Sequence, residues 1–230
     1  YLKKRENFFQ FHINLEKNFF FYDKFRLLRY THGGFESVGN YLMGKYQIVN
    51  LPIDKNKIII EVGCNVGELT YQFLKKKAVV FAFDLEKKAL ECLKLNCRSF
   101  KKLKFFNLGV WNKNGYKKCY SYPEDASSSF FKQKKYKIKK IKTITLETFM
   151  KKNKIKNVYL LKVEAEGAEP EVIYGLKNKL TNIRYISLDC GPERNGKTTI
   201  KEVKNFLKIN NFKVNVINNT CFAENKNFAR

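Results

Sequence analysis

Histidine is almost absent from this sequence. His12 and His32 are the only two in 230 residues, beside one tryptophan, two methionines and four prolines. A zinc site of the cysteine–histidine kind needs ligands in close pairs. The six cysteines (Cys64, Cys92, Cys97, Cys119, Cys190 and Cys221) form no C-x-x-C pair and no cluster with either histidine. They are few for a disulfide scaffold of this length, so reduced thiols in a cytoplasmic protein are expected. Long apolar runs are missing too. No stretch reaches the ~18 to 20 apolar residues of a membrane span. The opening YLKKRENFFQ carries charges with no unbroken apolar segment behind them, so it is not expected to act as a signal peptide. Acids are the minority, 21 against 46 lysines and arginines, for a formal charge of +25. Such a balance favours nucleic acid, anionic lipid or acidic ligands. Arginine, which makes the bidentate contacts of nucleic-acid recognition, is scarce. Lysine, asparagine, isoleucine and phenylalanine abound everywhere. The charge therefore reads first as compositional bias, and a nucleic-acid partner is not favoured.

What is present suits a globular chain. It is 44% hydrophobic and long enough for one sizeable α/β domain. The segment FFQFHINLEKNFFFYDKF is dense in aromatics, broken by His12, Glu16, Lys17, Asp23 and Lys24. It reads as a helical lid folded on the main domain. A membrane-surface helix, making the protein peripheral at a membrane, and a dimer arm are the alternatives. THGGFESVGNYLMG reads as loop because glycines punctuate it. Residues 1–50 are thus expected to form a lid or extension, and residues 51–230 the main domain. From residue 57 strands and helices alternate. KIIIEV, AVVFAF, KLKFFNLGV, VYLLKV and NIRYISLDC read as strands, with helices at 68–76, in LEKKALECLKLNC, after EAEGAEPEV and in TTIKEVKNFLKINNF. Thr199 and Glu202 stand in capping-box spacing. Residues 115–150 read as a strand-rich excursion, in which KQKKYKIKKIK is a strand or strand edge with a solvated face. FKVNVINNTCFAENK reads as a closing hairpin. The expected fold is α/β: one doubly wound, mainly parallel, seven-stranded sheet of Rossmann-like architecture.

IIIEVGCNVGELT, residues 58–70, carries the chemistry. A strand, a glycine turn and a helix present backbone N–H groups to a polar ligand. Glu61, Gly63, Asn65 and Gly67 fall on the positions of E-x-G-x-G-x-G, with Asn65 at the middle glycine. The nicotinamide pattern G-x-G-x-x-G does not align. A carboxylate just before the turn repels a pyrophosphate and welcomes an ammonium. Asp84 ends the second strand, where it can accept ribose hydroxyls or cap the following helix. An amino acid joined to a nucleoside fits both acids, and S-adenosylmethionine is such a cofactor.

The segments IIIEVGCNVGELT, FAFDLEKKALECLKLNC, NLGVWNKNG, DASSSFFK, TITLETFM, LKVEAEGAEPEVIYGL and YISLDCGPE, in that order, resemble FkbM-type S-adenosylmethionine-dependent methyltransferases. They span about residues 58–193, and KVEAEGAEPEV is the most specific of them. Glu61 and Glu164 stand where Asp is usual in the family, and residues 1–50 have no placed counterpart. The resemblance implies that Glu61, Gly63, Cys64, Asn65, Val66 and Gly67 hold the methionine end of the cofactor. It also implies that Asp84 and Leu85 hold the ribose and flank the adenine, that Asn107 to Val110, Gly109 included, meet the adenine edge, and that serines 127–129 close over the site.

Methyl transfer needs alignment and, for a hydroxyl acceptor, a base. Glu164, Glu166, Asp189 and Glu193 follow the fourth and fifth strands and should gather at one sheet edge. Two arrangements are open: one acid, raised in pKa by its neighbours, acts as base, or Glu164 and Asp189 hold Mg²⁺. Glu166 and Glu169 can instead serve the following helix N-terminus. His32 is a candidate base in a glycine-rich loop. Lys162 is expected to point to the far face or to snorkel. The leading expectation is an O-methyltransferase acting on a glycan or other small-molecule hydroxyl. An RNA methyltransferase and a non-catalytic nucleoside-binding or membrane-surface module are the alternatives.

Overall fold

Five short, largely apolar runs build the centre of the molecule, and the near-continuity of all but the outermost explains why they pair in parallel with both faces covered. The computed structural model describes residues 2–4, 9–13, 17–22, 26–31, 33–122, 127–131 and 137–228. Its N-terminal part holds β1 (Leu2–Lys4), β2 (Phe9–Ile13), β3 (Lys17–Phe21), α1 (Leu27–Tyr30) and α2 (Gly34–Lys45). There follow β4 (Ile58–Val62), α3 (Glu68–Lys75), β5 (Val79–Phe83), α4 (Lys87–Asn96) and β6 (Leu103–Phe106). The excursion comprises β7 (Gly109–Val110), β8 (Gly115–Tyr122), β9 (Ser127–Ser129), β10 (Lys137–Ile144) and α5 (Leu146–Lys152). The C-terminal half adds β11 (Val158–Val163), α6 (Glu169–Tyr174), β12 (Ile183–Asp189), α7 (Ile200–Ile209), β13 (Phe212–Ile217) and β14 (Thr220–Asn225).

The main sheet has the order β13-β14-β12-β11-β4-β5-β6. The strands β12, β11, β4, β5 and β6 run parallel, and β14 is antiparallel to both its neighbours. Apolar side chains cover the two faces as separate clusters. Every residue of β11 is buried. The chain walks outward from β4 through β5 to β6, then returns to β11 on the other side of β4. The carboxyl ends of β4 and β11 therefore flank a topological switch point, where such sheets take ligands. No helix among the described residues is long and apolar enough to cross a membrane, and all six cysteines are free and buried.

Several local expectations are corrected. Where it is described, the aromatic N-terminus is strand and not helix: β1, β2 and β3 form an antiparallel sheet of their own. Alternation decides it. Phe19 and Phe21 are buried, and Phe19 stacks on Phe35 of α2 with centroids 4.3 Å apart. Most of the stretch expected to be loop, THGGFESVGNYLMG, belongs to helix α2, which runs from Gly34 to Lys45. Phe35, Val38, Leu42 and Met43 make one buried stripe. Gly39 is there for close packing, since a Cβ would lie 2.6 Å from the Glu68 carbonyl oxygen of α3. The strand expected at 102–110 is split, β6 joining the main sheet and β7 a second, four-stranded sheet of order β7-β10-β8-β9. The lysine-rich part of β10, Lys137–Lys142, pairs with β8 alone and is mostly exposed, in keeping with the strand edge expected there; only Thr143 and Ile144 also pair with β7. The expected strand-rich stretch ends in helix α5, capped by Thr145, whose hydroxyl accepts the Thr148 N–H at 3.1 Å. Thr199 makes no capping box: its hydroxyl donates to Glu169 Oε2 at 3.0 Å.

Candidate functional site

The turn after β4 has left-handed backbone at Gly63 (φ 74°), Asn65 (φ 48°) and Gly67 (φ 96°). Glycine is required twice over. A Cβ on Gly63 would lie 2.1 Å from the Glu164 carbonyl oxygen, and one on Gly67 would lie 2.3 Å from Leu93 Cδ1. The turn is thus pressed between the end of β11 and α4, and α3 begins directly after it. Above it opens a cleft of ≈ 840 Å³, the open solvent at its mouth included.

Two carboxylates flank the turn. Glu61 is 1% exposed. It accepts the Thr70 hydroxyl at 2.5 Å, and Lys162 Nζ lies 4.0 Å away. Burial raises its pKa to about 7, with Lys162 and Thr70 opposing. Asp84 accepts the Asn65 N–H and the Glu86 N–H, each at 2.8 Å, so one carboxylate ties the turn to the start of α4. Burial raises Asp84 to about 6, against the pull of these two donors. Asn65 Oδ1 is buried without a partner. Within a cleft this is an acceptor held ready for a ligand donor.

The end of β11 carries the opposite electrostatics. Lys162, expected to turn away, is 2% exposed and lines the cleft. Its ammonium donates to the Gly63 carbonyl oxygen at 2.9 Å and to Glu164 Oε2 at 3.2 Å. Lys45, at the end of α2, lies 3.8 Å from Glu164 Oε1 and 2.6 Å from Asp189 Oδ2. Burial alone would raise Glu164, but the Lys162 and Lys45 ammonium groups outweigh it and hold the carboxyl at about 2. A base with raised pKa is therefore not what Glu164 is in this state. Nor does the pair Glu164–Asp189 suit Mg²⁺. The two acids do converge, but on the Lys45 ammonium, and among the described residues no three metal-ligating side chains come together.

Of the residues singled out from sequence, Glu61, Gly63, Cys64, Asn65, Asp84, Leu85, Glu164 and Glu166 line the cleft. Val66 and Gly67 are packed beneath it, Val66 fully buried. Asn107 braces the rim from outside, its amide donating to the Asp84 and Leu85 carbonyl oxygens at 3.0 Å each. Gly109 packs on Phe130, while its neighbours Leu108 and Val110 reach the cleft. Asp189 borders an adjacent depression. His32 lies outside the described residues, as does the side chain of Ser127. Ser128 lines the cleft, and Ser129 donates to the Glu166 carbonyl oxygen at 2.8 Å. Glu169 serves the turn before α6, accepting the Ala165 and Gly167 N–H groups at 3.1 Å each. Sequence reasoning missed Arg26 and Arg29, which reach the cleft from the N-terminal segment. There Tyr30 donates to Glu68 Oε1 at 2.7 Å. No short-range signal marks them. Lys162 had one: it is the single charge in VYLLKV.

The fold and the cleft at its switch point define a Rossmann-like, S-adenosylmethionine-dependent methyltransferase domain. A family model described as the methyltransferase FkbM domain matches residues 61–214, and the chain belongs to that family. The 2-O-methyltransferase NoeI of Sinorhizobium fredii (strain NBRC 101917 / NGR234) is 24% identical over 159 residues. The match covers 61% of this chain and 65% of that protein, so the chain spans just under two thirds of this relative's length. Among solved structures, the fibrillarin pre-rRNA processing protein of Methanococcus jannaschii superposes with a TM-score of 0.52 at 12% identity, over 98% of each chain. The magnesium protoporphyrin IX methyltransferase of Synechocystis PCC 6803, with bound S-adenosylmethionine, gives 0.49 at 12% identity over 83% of this chain and 79% of that one. At such identities the likeness concerns the fold alone.

Proposed function

We propose that this chain transfers a methyl group from S-adenosylmethionine to a hydroxyl on a sugar or other small molecule. The observation that carries the reading is the pair of carboxylates around one glycine turn, with the unpartnered Asn65 oxygen in the same turn. Glu61 would accept the ammonium of the cofactor's amino-acid end, and Asp84 its ribose hydroxyls. Neither would welcome a pyrophosphate. When bound, the cofactor supplies an electrophilic methyl. The chain's own task is then alignment. Lys162 fixes Glu164 at the edge of the cleft, and Glu164 keeps 35% of its side chain exposed, enough to meet an acceptor. Held ionised, it would accept the hydrogen bond of the acceptor hydroxyl and take its proton as the oxygen gains the methyl, S-adenosylhomocysteine being the leaving group. The 2-O-methyltransferase relative supports a hydroxyl as the acceptor class.

Calorimetric titration with S-adenosylhomocysteine, with NAD as control, tests this. Binding to the wild type and an affinity loss of about 10-fold or more in Asp84→Ala, roughly 1.4 kcal/mol, are expected. Preference for NAD, or no binding, would overturn the reading.

A further inference from the structure

A second depression opens beside the cleft, on the same carboxyl edge of the sheet, between the end of α2 and the turn joining β13 to β14. Its empty space is ≈ 970 Å³, open solvent included. Lys45 joins the two hollows. Its ammonium contacts Asp189 in the second and Glu164 in the first, at 2.6 and 3.8 Å. We propose that this depression is the acceptor subsite, and that it takes a neutral, hydroxyl-rich ring, a sugar, with one hydroxyl directed past Lys45 toward Glu164. The proposal rests on the methyl-transfer reading above and adds to it the place and chemistry of the acceptor.

Three observations carry it. First, Glu193 Oε2 is buried and has no hydrogen-bond partner. The carboxylate folds back over Gly191, where a Cβ would lie 2.1 Å from Oε1. A carboxylate only accepts, so the ligand it awaits must donate. Second, the charge is wrong for an anion. In a chain of +25, this hollow shows two carboxylates, Asp189 and Glu193, against one ammonium, and Lys45 is already paired. A phosphate or uronate would meet net repulsion, while hydroxyls would not. Third, Tyr41 stands at the rim with 67% of its surface exposed. It offers a flat face with a polar tip, suited to the C–H side of a sugar ring. Gln47 does not compete for the ligand, because its amide is committed to the Thr220 carbonyl oxygen and the Asn215 side chain.

The test is saturation-transfer NMR on the full chain with saturating S-adenosylhomocysteine. The probes are the methyl glycosides of the neutral hexoses and 6-deoxyhexoses. At least one glycoside should receive saturation from the wild type. Its dissociation constant should rise about fivefold or more in Tyr41→Ala and in Glu193→Gln, as for loss of one ring contact or one charged hydrogen bond. Affinity for S-adenosylhomocysteine should stay within about twofold in both, since neither residue lines the cofactor cleft. Intact S-adenosylhomocysteine binding with no transfer to any glycoside would overturn the subsite alone. So would glycoside binding that both variants leave unchanged. A wild type that binds no S-adenosylhomocysteine would overturn the methyl-transfer reading, and this one with it.

Discussion

Glu61 and Glu164 stand at the ends of neighbouring strands, on either side of the Lys162 ammonium, which lies 4.0 Å from one and 3.2 Å from the other. Their acidities diverge. Burial takes Glu61 up to about 7, while Glu164 is held at about 2. Lys162 is common to both, so the difference comes from elsewhere. Glu61 has one further partner, the neutral Thr70 hydroxyl. Glu164 has Lys45, brought by the end of α2 from outside the sheet. Under the proposed assignment Glu61 is the acid left to meet a ligand ammonium: among the described residues Lys162 is its one cationic neighbour within 4.0 Å, whereas Glu164 also has Lys45.

Removing the shared ammonium should break this division most severely. Lys162→Met leaves Glu61 buried with no cation. A loss of about 3 kcal/mol or more in urea-unfolding stability at pH 8 is expected, as for other broken buried pairs. Glu164→Gln strikes one half only. Methyl transfer, followed by S-adenosylhomocysteine release, should slow about 100-fold or more if the carboxylate aligns the acceptor. The pH dependence sharpens the contrast. An ammonium ligand prefers ionised Glu61, so affinity for S-adenosylhomocysteine should rise about 10-fold from pH 6 to pH 8, with proton release on binding. Glu61→Gln should flatten that rise. In the ligand-free protein the sign is reversed. The folded state holds the Glu61 proton more tightly than the unfolded chain does, so this group's contribution to stability falls as pH climbs from about 4.5 to about 7. Glu164 contributes stability above about 4.5 that is lost as pH falls toward 2. Smallest, and outside the site, Thr145→Ala should cost about 1 kcal/mol by removing the α5 cap, measured by thermal unfolding.

The same division governs what could be read from the sequence. The cofactor half is local in the chain: strand, turn and helix follow within 58–70, and Asp84 closes the next strand. Period and glycine spacing suffice there. The acceptor half is assembled across the chain, Lys45 meeting Asp189 at a separation of 144 residues. Local pattern cannot anticipate such a pair. Two rules also misled. Glycines at 33, 34, 39 and 44 suggested loop, yet Gly39 serves the close approach of α2 to α3. The aromatic run suggested a helical lid because charges interrupt it, but its buried members, Phe19 and Phe21, alternate as in a strand. Lys162 was misplaced for another reason. A buried lysine is rare unless paired, and its partners become visible only once β4 and β11 are neighbours.

The most direct test of the divided cleft is a calorimetric titration of S-adenosylhomocysteine against wild type, Asp84→Ala and Asp189→Asn. The account predicts affinity about 10-fold or more weaker in Asp84→Ala and within about twofold of wild type in Asp189→Asn. Equal losses in both variants, or a larger loss in Asp189→Asn, would contradict it.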